Sequence, residues 1–497
     1  MSEPLLITSH TDWSRELIER VYYEIEKIAL EELELGGLLY PNQIEIISAE
    51  QMLDAYASIG MPVHYNHWSF GKEFLRNDKA YKRGRMGLAY EIVINSDPCI
   101  SYLMEENSML QQTMVIAHAA FGHNAVFRNN ETFKQWTSAG SIIDYMIFAR
   151  DYIRRCEQRY GVDEVEDLLD AAHALAPHGV DKFKRKHRPK LTDEARLKLL
   201  MEREEKRQRE LDIIMKKTSF KDDELVDDDH EKIEDEENLL YFIMKKSPSM
   251  EQWKREVLRI VCKVNQYFYP QGQTKNLNEG YATFCHYYIM TRLEEKGILS
   301  PDAFMAFLDH HSGVIYQPGY NSRYYSGINP YALGFAILQD VKRTCEKPTD
   351  EDREWMPKLI GKRWQDAVKE AVFEHRDDSF IQQYLSPKVI RDLKLFSVHL
   401  DFRDEDAEHP AFVSEIHDEV GYKAIRVHLA RSYERINHVP QIKVVGADLE
   451  GDRKLKLKYE PYLDREIAPE DAASVTDYAD ELWGYSVELD IPDAPKN

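Results

Sequence analysis

The longest run without a charged side chain, Asn107 to Phe127 (NSMLQQTMVIAHAAFGHNAVF), constrains this chain more than any other stretch. It is long enough to cross a bilayer, yet it carries two Gln, two Asn and two His, which lipid-facing helices avoid. It reads instead as a helix buried in protein, with polar cargo that has to be satisfied there. Enclosing such a helix takes a large body, and 497 residues that are 43% apolar and 31% charged can supply one.

The charge balance narrows the partners. With 65 basic and 88 acidic residues the net charge is −23, a field that repels phosphate backbones and anionic headgroups, so neither nucleic acid nor membrane insertion is expected. The five cysteines are scattered and form no C-x-x-C pair, which writes neither a disulfide framework nor a zinc ribbon and fits a reducing cytosol. The N-terminal stretch has acidic residues and lacks the basic-then-apolar order of a secretory signal, so the expectation is a cytoplasmic protein.

Periodicity sets the fold class as mainly α: a large helical N-terminal body with a loop-rich pocket, plus a small C-terminal α+β domain. Residues 1–188 form the helical part with the histidine motifs, opening on an amphipathic helix with Leu17, Val21, Ile25 and Ala29 along one stripe. Between 36 and 100, Gly and Pro break the pattern and YEIVINS (90–96) alternates like a strand. Residues 189–238 read as a charged helix, with Thr192 as its cap, followed by an acidic linker. Residues 239–396 form a second helical part that completes the pocket, broken by the tyrosine- and glycine-rich stretch 314–335. From 397 to 497, four alternating segments read as strands, with helices expected at 421–433 and 469–483.

Chemistry concentrates in histidines. His64 and His67 lie in MPVHYNHWSF, His118 and His123 in the buried run, and NLNEGYATFCHYY adds Glu279 and His286 two helical turns apart. Two histidines joined by a distant glutamate are the ligand types of a catalytic zinc with an open position, so His118, His123 and Glu279 form the candidate set for zinc or another divalent metal. On a regular α-helix, residues five apart point about 140° away from each other. A shared metal therefore requires a distortion such as a π-bulge between His118 and His123, and Gly122 favours one. In H-E-x-x-H hydrolases the residue after the first histidine is the general base; here it is Ala119, so the base has to come from elsewhere, with Glu279 and His286 as candidates. His64, His67, Lys72, Lys275, Asn278, His310, His311 and Tyr331 are candidates for the pocket lining or its supporting shell. Phosphate-binding loops, G-x-G-x-x-G, G-x-S-x-G and nucleophilic cysteine motifs are all missing from the sequence.

The ordered set HWSFGKEF (67–74), IAHAAFGHN (116–124), QTKNLNEGYATFCHYY (273–288), INPYALGF (328–335), DDSFIQQYLSPKVIRDLKLF (377–396) and LWGYSVEL (482–489) resembles the stage V sporulation protein R (SpoVR-like) family, from about residue 12 to 490. The resemblance implies a cytoplasmic bacterial protein, linked in spore formers to the peptidoglycan cortex and elsewhere to stress or stationary-phase physiology. It also implies association with a serine protein kinase and a von Willebrand-type protein. The chain departs from the family pattern in the wider spacing of the His118/His123 pair and in NEGYA where the family reads NEGWA. A histidine pair followed by a later E-G-aromatic-A is also similar to gluzincin metallopeptidases, over roughly 30 residues. Two functions remain open at this point. One is a zincin-like metal-dependent hydrolase acting on an amide-type or cell-wall-related substrate. The other is a non-catalytic regulator or scaffold whose histidines serve the fold.

Overall fold

Ser14 accepts a hydrogen bond from the Leu17 N–H and so starts the first helix, Arg15–Glu31, which buries Ile18, Val21, Ile25 and Ile28 at helical spacing. The computed structural model describes residues 4–58, 61, 63–82, 91–182, 238–319, 322–395, 397–400, 411–414, 418–434, 439–449, 451–461 and 467–492. Over these the chain is mainly α-helical. The expected charged helix, its Thr192 cap and nearly all of the acidic linker fall on residues 183–237, outside the described residues.

Strand Cys99–Met104 is the centre of a three-stranded sheet, parallel to Asn42–Ile47 on one side and antiparallel to Glu91–Ile94 on the other, with Glu91 opposite Leu103. The uncharged run follows as one buried helical rod, here the histidine helix. It is α-helical over Met109–Ile116 from a Ser108/Gln111 capping box, π-helical over Ala117–His123, and α-helical again over Asn124–Asn129. It packs against the helix Lys275–Glu295, the glutamate helix, which is buried on nearly all sides and is packed in turn by Pro330–Glu346, the tyrosine helix.

These three helices approach one another through glycine. A Cβ on Gly122 would lie 2.5 Å from Ala282 Cα, and one on Gly280 would lie 2.4 Å from Gly334 Cα. The missing side chains let the helix backbones nearly touch. That closeness is what brings side chains from distant segments into one pocket.

Among the described residues, two apolar cores organise the rest. The first gathers the opening helix, the histidine, glutamate and tyrosine helices and Tyr422, Ile425 and Ala430 of helix Glu419–Tyr433. The second gathers the helices Ile142–Tyr160, Val162–Ala174 and Gln252–Gln273 with Ile442, Val444, Leu455 and Leu457 of the C-terminal sheet and Trp483 of helix Pro469–Trp483. In that sheet Leu455–Glu460 is central, antiparallel to Gln441–Ala447 and parallel to Val487–Asp490. The strands Ser397–Leu400 and Ala411–Ser414 pair antiparallel. Among the described residues no helix is long and apolar enough to cross a membrane.

Candidate metal centre

The π-helical turn resolves the spacing problem of the buried histidines. Its i→i+5 bonding, seen where the Asn124 N–H donates to the Ala119 carbonyl, adds one residue to the turn. His118 and His123 then project to the same side with ring centroids 4.7 Å apart. Both rings are buried. The glutamate helix lies close enough, through Gly122 against Ala282, for Glu279 to reach both.

Glu279 Oε2 lies 3.7 Å from His118 Nε2 and 3.5 Å from His123 Nε2. Glu91 Oε1, arriving from the sheet edge, lies 3.7 Å from His118 Nε2. Ligand atoms from Glu91, His118 and His123 all fall within 4.8 Å of one another. These separations are too long for good hydrogen bonds, and among the described residues His118 Nε2 and Glu279 Oε2 are buried without a hydrogen-bond partner. Donors bound to one cation at about 2.1 Å in tetrahedral geometry would stand about 3.4 Å apart, close to the spacing seen. The residues therefore fit a divalent cation: two imidazoles and one or two carboxylates, a donor set typical of zinc.

The surrounding groups hold the imidazoles in the required orientation. His123 Nδ1 is 3.0 Å from Asn278 Oδ1, an acceptor, so Nδ1 carries the proton and Nε2 faces the carboxylates with its lone pair. His118 Nδ1 is 3.0 Å from His286 Nδ1, and His286 Nε2 is 2.9 Å from His311 Nδ1, making a row of three imidazoles that leads away from the centre. Tyr331, in the first turn of the tyrosine helix, comes to the same place; its ring lies 6.3 Å from the His118 ring and its hydroxyl faces Glu279.

Burial sets the charges. It pushes His123 down to about 4 against the attraction of Glu279, so this imidazole is neutral and able to donate a lone pair. Burial also works against charge on His118, but the carboxylates of Glu279 and Glu91 outweigh it and hold its pKa above the usual histidine value. Glu91 is raised by burial, relieved in part by His118. Burial would raise Glu279 as well, yet the His123 and His118 imidazoles prevail and keep it below the ordinary carboxylate range.

The pocket thus unites His118, His123, Glu279, Asn278 and Tyr331 among the residues singled out from sequence, with His286 and His311 behind them. It differs from the sequence expectation at several positions. His286, expected as a catalytic group, is buried behind His118 and turned from the carboxylates, because two helical turns carry it past the pocket. Lys72 is exposed and lies over the Trp68 ring, Lys275 is exposed at the first position of the glutamate helix, and His310 is only partly buried, about 100° around its helix from the buried His311. Glu91 escaped the sequence reading altogether. It opens an ordinary alternating strand, and only the pairing of that strand with Cys99–Met104 brings it to the histidines.

His64 and His67 belong to a different cluster, on the helix Val162–Ala174. His67 Nε2 is 3.1 Å from Asp170 Oδ1 and its Nδ1 is 2.6 Å from Ser69 Oγ, while the Tyr65 hydroxyl is 2.7 Å from His173 Nε2. His64 packs on the Phe70 ring, 4.6 Å between centroids. They do not line the candidate metal centre, because the loop that carries them packs on the second core. Burial pushes His64 and His173 to about 4, and does the same to His178. Between 6.5 and about 4 the unfolded chain therefore takes up protons that the folded chain refuses. Stability is full above pH 6.5 and is lost as pH falls through that window, by at most roughly 3 kcal/mol per histidine. Urea unfolding at pH 7 and pH 5 checks this, and equal midpoints would refute it.

Residues 12–438 match the family described as SpoVR like protein, and residues 440–494 match the SpoVR-like C-terminal domain. The chain is 47% identical over 483 residues to the uncharacterized protein YcgB of Escherichia coli (strain K12), an alignment that spans 96% of this chain and 92% of that relative. No solved structure matches.

Proposed function

We infer, for a chain that belongs to the SpoVR-like family along nearly its whole length, that the buried pocket is a divalent-metal centre serving hydrolysis. His118, His123 and Glu279 would hold the cation, with zinc the best match to their donor atoms. The observation that carries this reading is the pair of buried atoms His118 Nε2 and Glu279 Oε2, which stand 3.7 Å apart and have no hydrogen-bond partner among the described residues. Such a cation would supply Lewis-acid activation of water and of a substrate carbonyl.

The remaining work falls to this chain's own groups. Glu91 takes the place of the glutamate that Ala119 leaves missing: it faces His118 from the sheet edge, and burial raises its pKa above the ordinary carboxylate value, the direction that suits a carboxyl that accepts a proton and later returns it. Asn278 fixes the tautomer of His123. Tyr331, whose pKa burial raises, stays protonated and offers its hydroxyl to Glu279. Family likeness supplies peptidoglycan as the substrate to try, through its amide bonds.

The test compares wild type with Glu91→Gln, both zinc-loaded, for zinc content and for release of new amino groups from peptidoglycan. Glu91→Gln is expected to keep its zinc and lose about a hundredfold or more in turnover. Failure of the zinc-loaded wild type to release amines removes the hydrolytic reading. Loss of zinc from Glu91→Gln makes Glu91 a ligand and removes it as the proton carrier.

A further inference from the structure

The imidazoles of His286 and His311, behind His118, have no part in the hydrolytic chemistry, yet both are buried, 1% and 4% exposed. Burial holds both below the ordinary histidine range, so each is neutral, with one nitrogen that donates and one that accepts. Their other neighbours are rings. Phe307 lies 6.0 Å from His286 and 5.7 Å from His311 between centroids, and Tyr287 and Phe335 lie 4.8 Å and 4.9 Å from His311. An imidazole among such neighbours costs free energy that a leucine would not, unless its nitrogens are used.

The protons along the row follow from its inner end. The Ala282 carbonyl oxygen, which can only accept, takes a hydrogen bond from the His118 ring, while His118 Nε2 has no hydrogen-bond partner among the described residues. Nδ1 of His118 therefore carries a proton. His286 Nδ1, 3.0 Å from it, must offer a lone pair, which puts the His286 proton on Nε2. His311 Nδ1, 2.9 Å from that nitrogen, accepts in its turn. Each imidazole thus donates to the next one out, and the nitrogen left for a cation is His118 Nε2, which faces Glu279 and Glu91.

We propose that His286 and His311 are positioning residues of the metal centre, a role that rests on the metal reading of the pocket: in succession they fix His118 in the tautomer and ring orientation that present Nε2 to the cation. A proton moved to Nδ1 of His286 would meet the Nδ1 proton of His118 head to head, and the His118 ring would have to turn. His311 opposes that reversal by accepting from Nε2 of His286. Helix Pro301–Val314, which carries His311 and none of the three ligands, is thereby coupled to the cation site.

The test is the zinc affinity of the full chain, measured by competition with a chromophoric chelator, together with the visible spectrum of the cobalt(II)-loaded protein. His286→Leu removes the acceptor and is expected to weaken zinc binding about 10- to 100-fold and to alter the cobalt spectrum. His286→Asn places an oxygen where Nδ1 stood and is expected to bind zinc within about threefold of wild type. His311→Leu is expected to weaken zinc about fivefold in the wild-type background and to have no further effect beside His286→Asn, where no ring proton remains to be reversed. Circular dichroism checks each fold; should His286→Leu be unfolded, His311→Leu in the two backgrounds decides. A wild-type chain that binds neither metal removes the metal reading and the positioning role with it. Unchanged affinity in folded His286→Leu, His286→Asn as weak as His286→Leu, or an equal loss from His311→Leu in both backgrounds leaves the metal reading standing and overturns the positioning role.

Discussion

Purified without chelator, the wild-type chain is expected to carry about one equivalent of zinc or another divalent cation, and the double variant His118→Ala, His123→Ala to carry none. The two imidazoles supply two of the three donors around the gap in which, among the described residues, His118 Nε2 and Glu279 Oε2 stand without a hydrogen-bond partner. Changes merely behind metal ligands cost about 10- to 100-fold in affinity, so removing two ligands should exceed that. Elemental analysis of both proteins gives the answer. Because a cation that binds only the folded chain stabilises it, by about 4 kcal/mol at a thousandfold excess over Kd, chelation should also lower the unfolding midpoint of wild type and leave that of the variant unmoved. A metal-free wild type, or a variant with the same metal content, would remove the centre and the hydrolytic function with it.

The second large effect concerns helix contact. Alanine at Gly334 would place Cβ 2.1 Å from the Asn276 carbonyl oxygen and 2.7 Å from Gly280 Cα, and alanine at Gly280 would place it 2.4 Å from Gly334 Cα. The atoms in the way are backbone and have no rotamer to change. Overpacking ordinarily costs about 1 to 3 kcal/mol, and a clash of backbone with backbone belongs at or beyond the upper end. Gly334→Ala and Gly280→Ala should therefore lose about 3 kcal/mol or more in urea unfolding and much of their bound metal, since Tyr331 and Glu279 ride on the two helices being forced apart. Gly36→Ala, where nothing lies within 4 Å, is the matched control and should change stability by less than about 0.5 kcal/mol. Gly334→Ala unfolding at the control's midpoint would show that the helices separate without cost.

The π-helical turn was legible before any coordinates because of a conflict within the sequence. Two histidines that suit one metal stand five apart, and a regular α-helix cannot aim both at one point. The helix Pro469–Trp483 and the strand Val487–Asp490 were legible for a simpler reason, the change of apolar period from near four to two. The separate home of His64 and His67 was not legible. They share residue type and loop-rich surroundings with a ligand pair, and the difference lies in Asp170 and His173, about a hundred residues away, which hold them on another helix.

What the sequence determined by itself was local: where helices and strands begin, that the run from Asn107 to Phe127 is buried with polar cargo, and that His118, His123 and Glu279 are the right kinds of ligand. What only the tertiary structure decided was convergence. Glu91 joins the histidines through pairing at a sheet edge, and Glu279 reaches them because Gly122, Gly280 and Gly334 let three helix backbones close up. The physical reason is range: capping and periodicity act over a few residues along the chain, while a shared cation site depends on distances between segments that only packing sets.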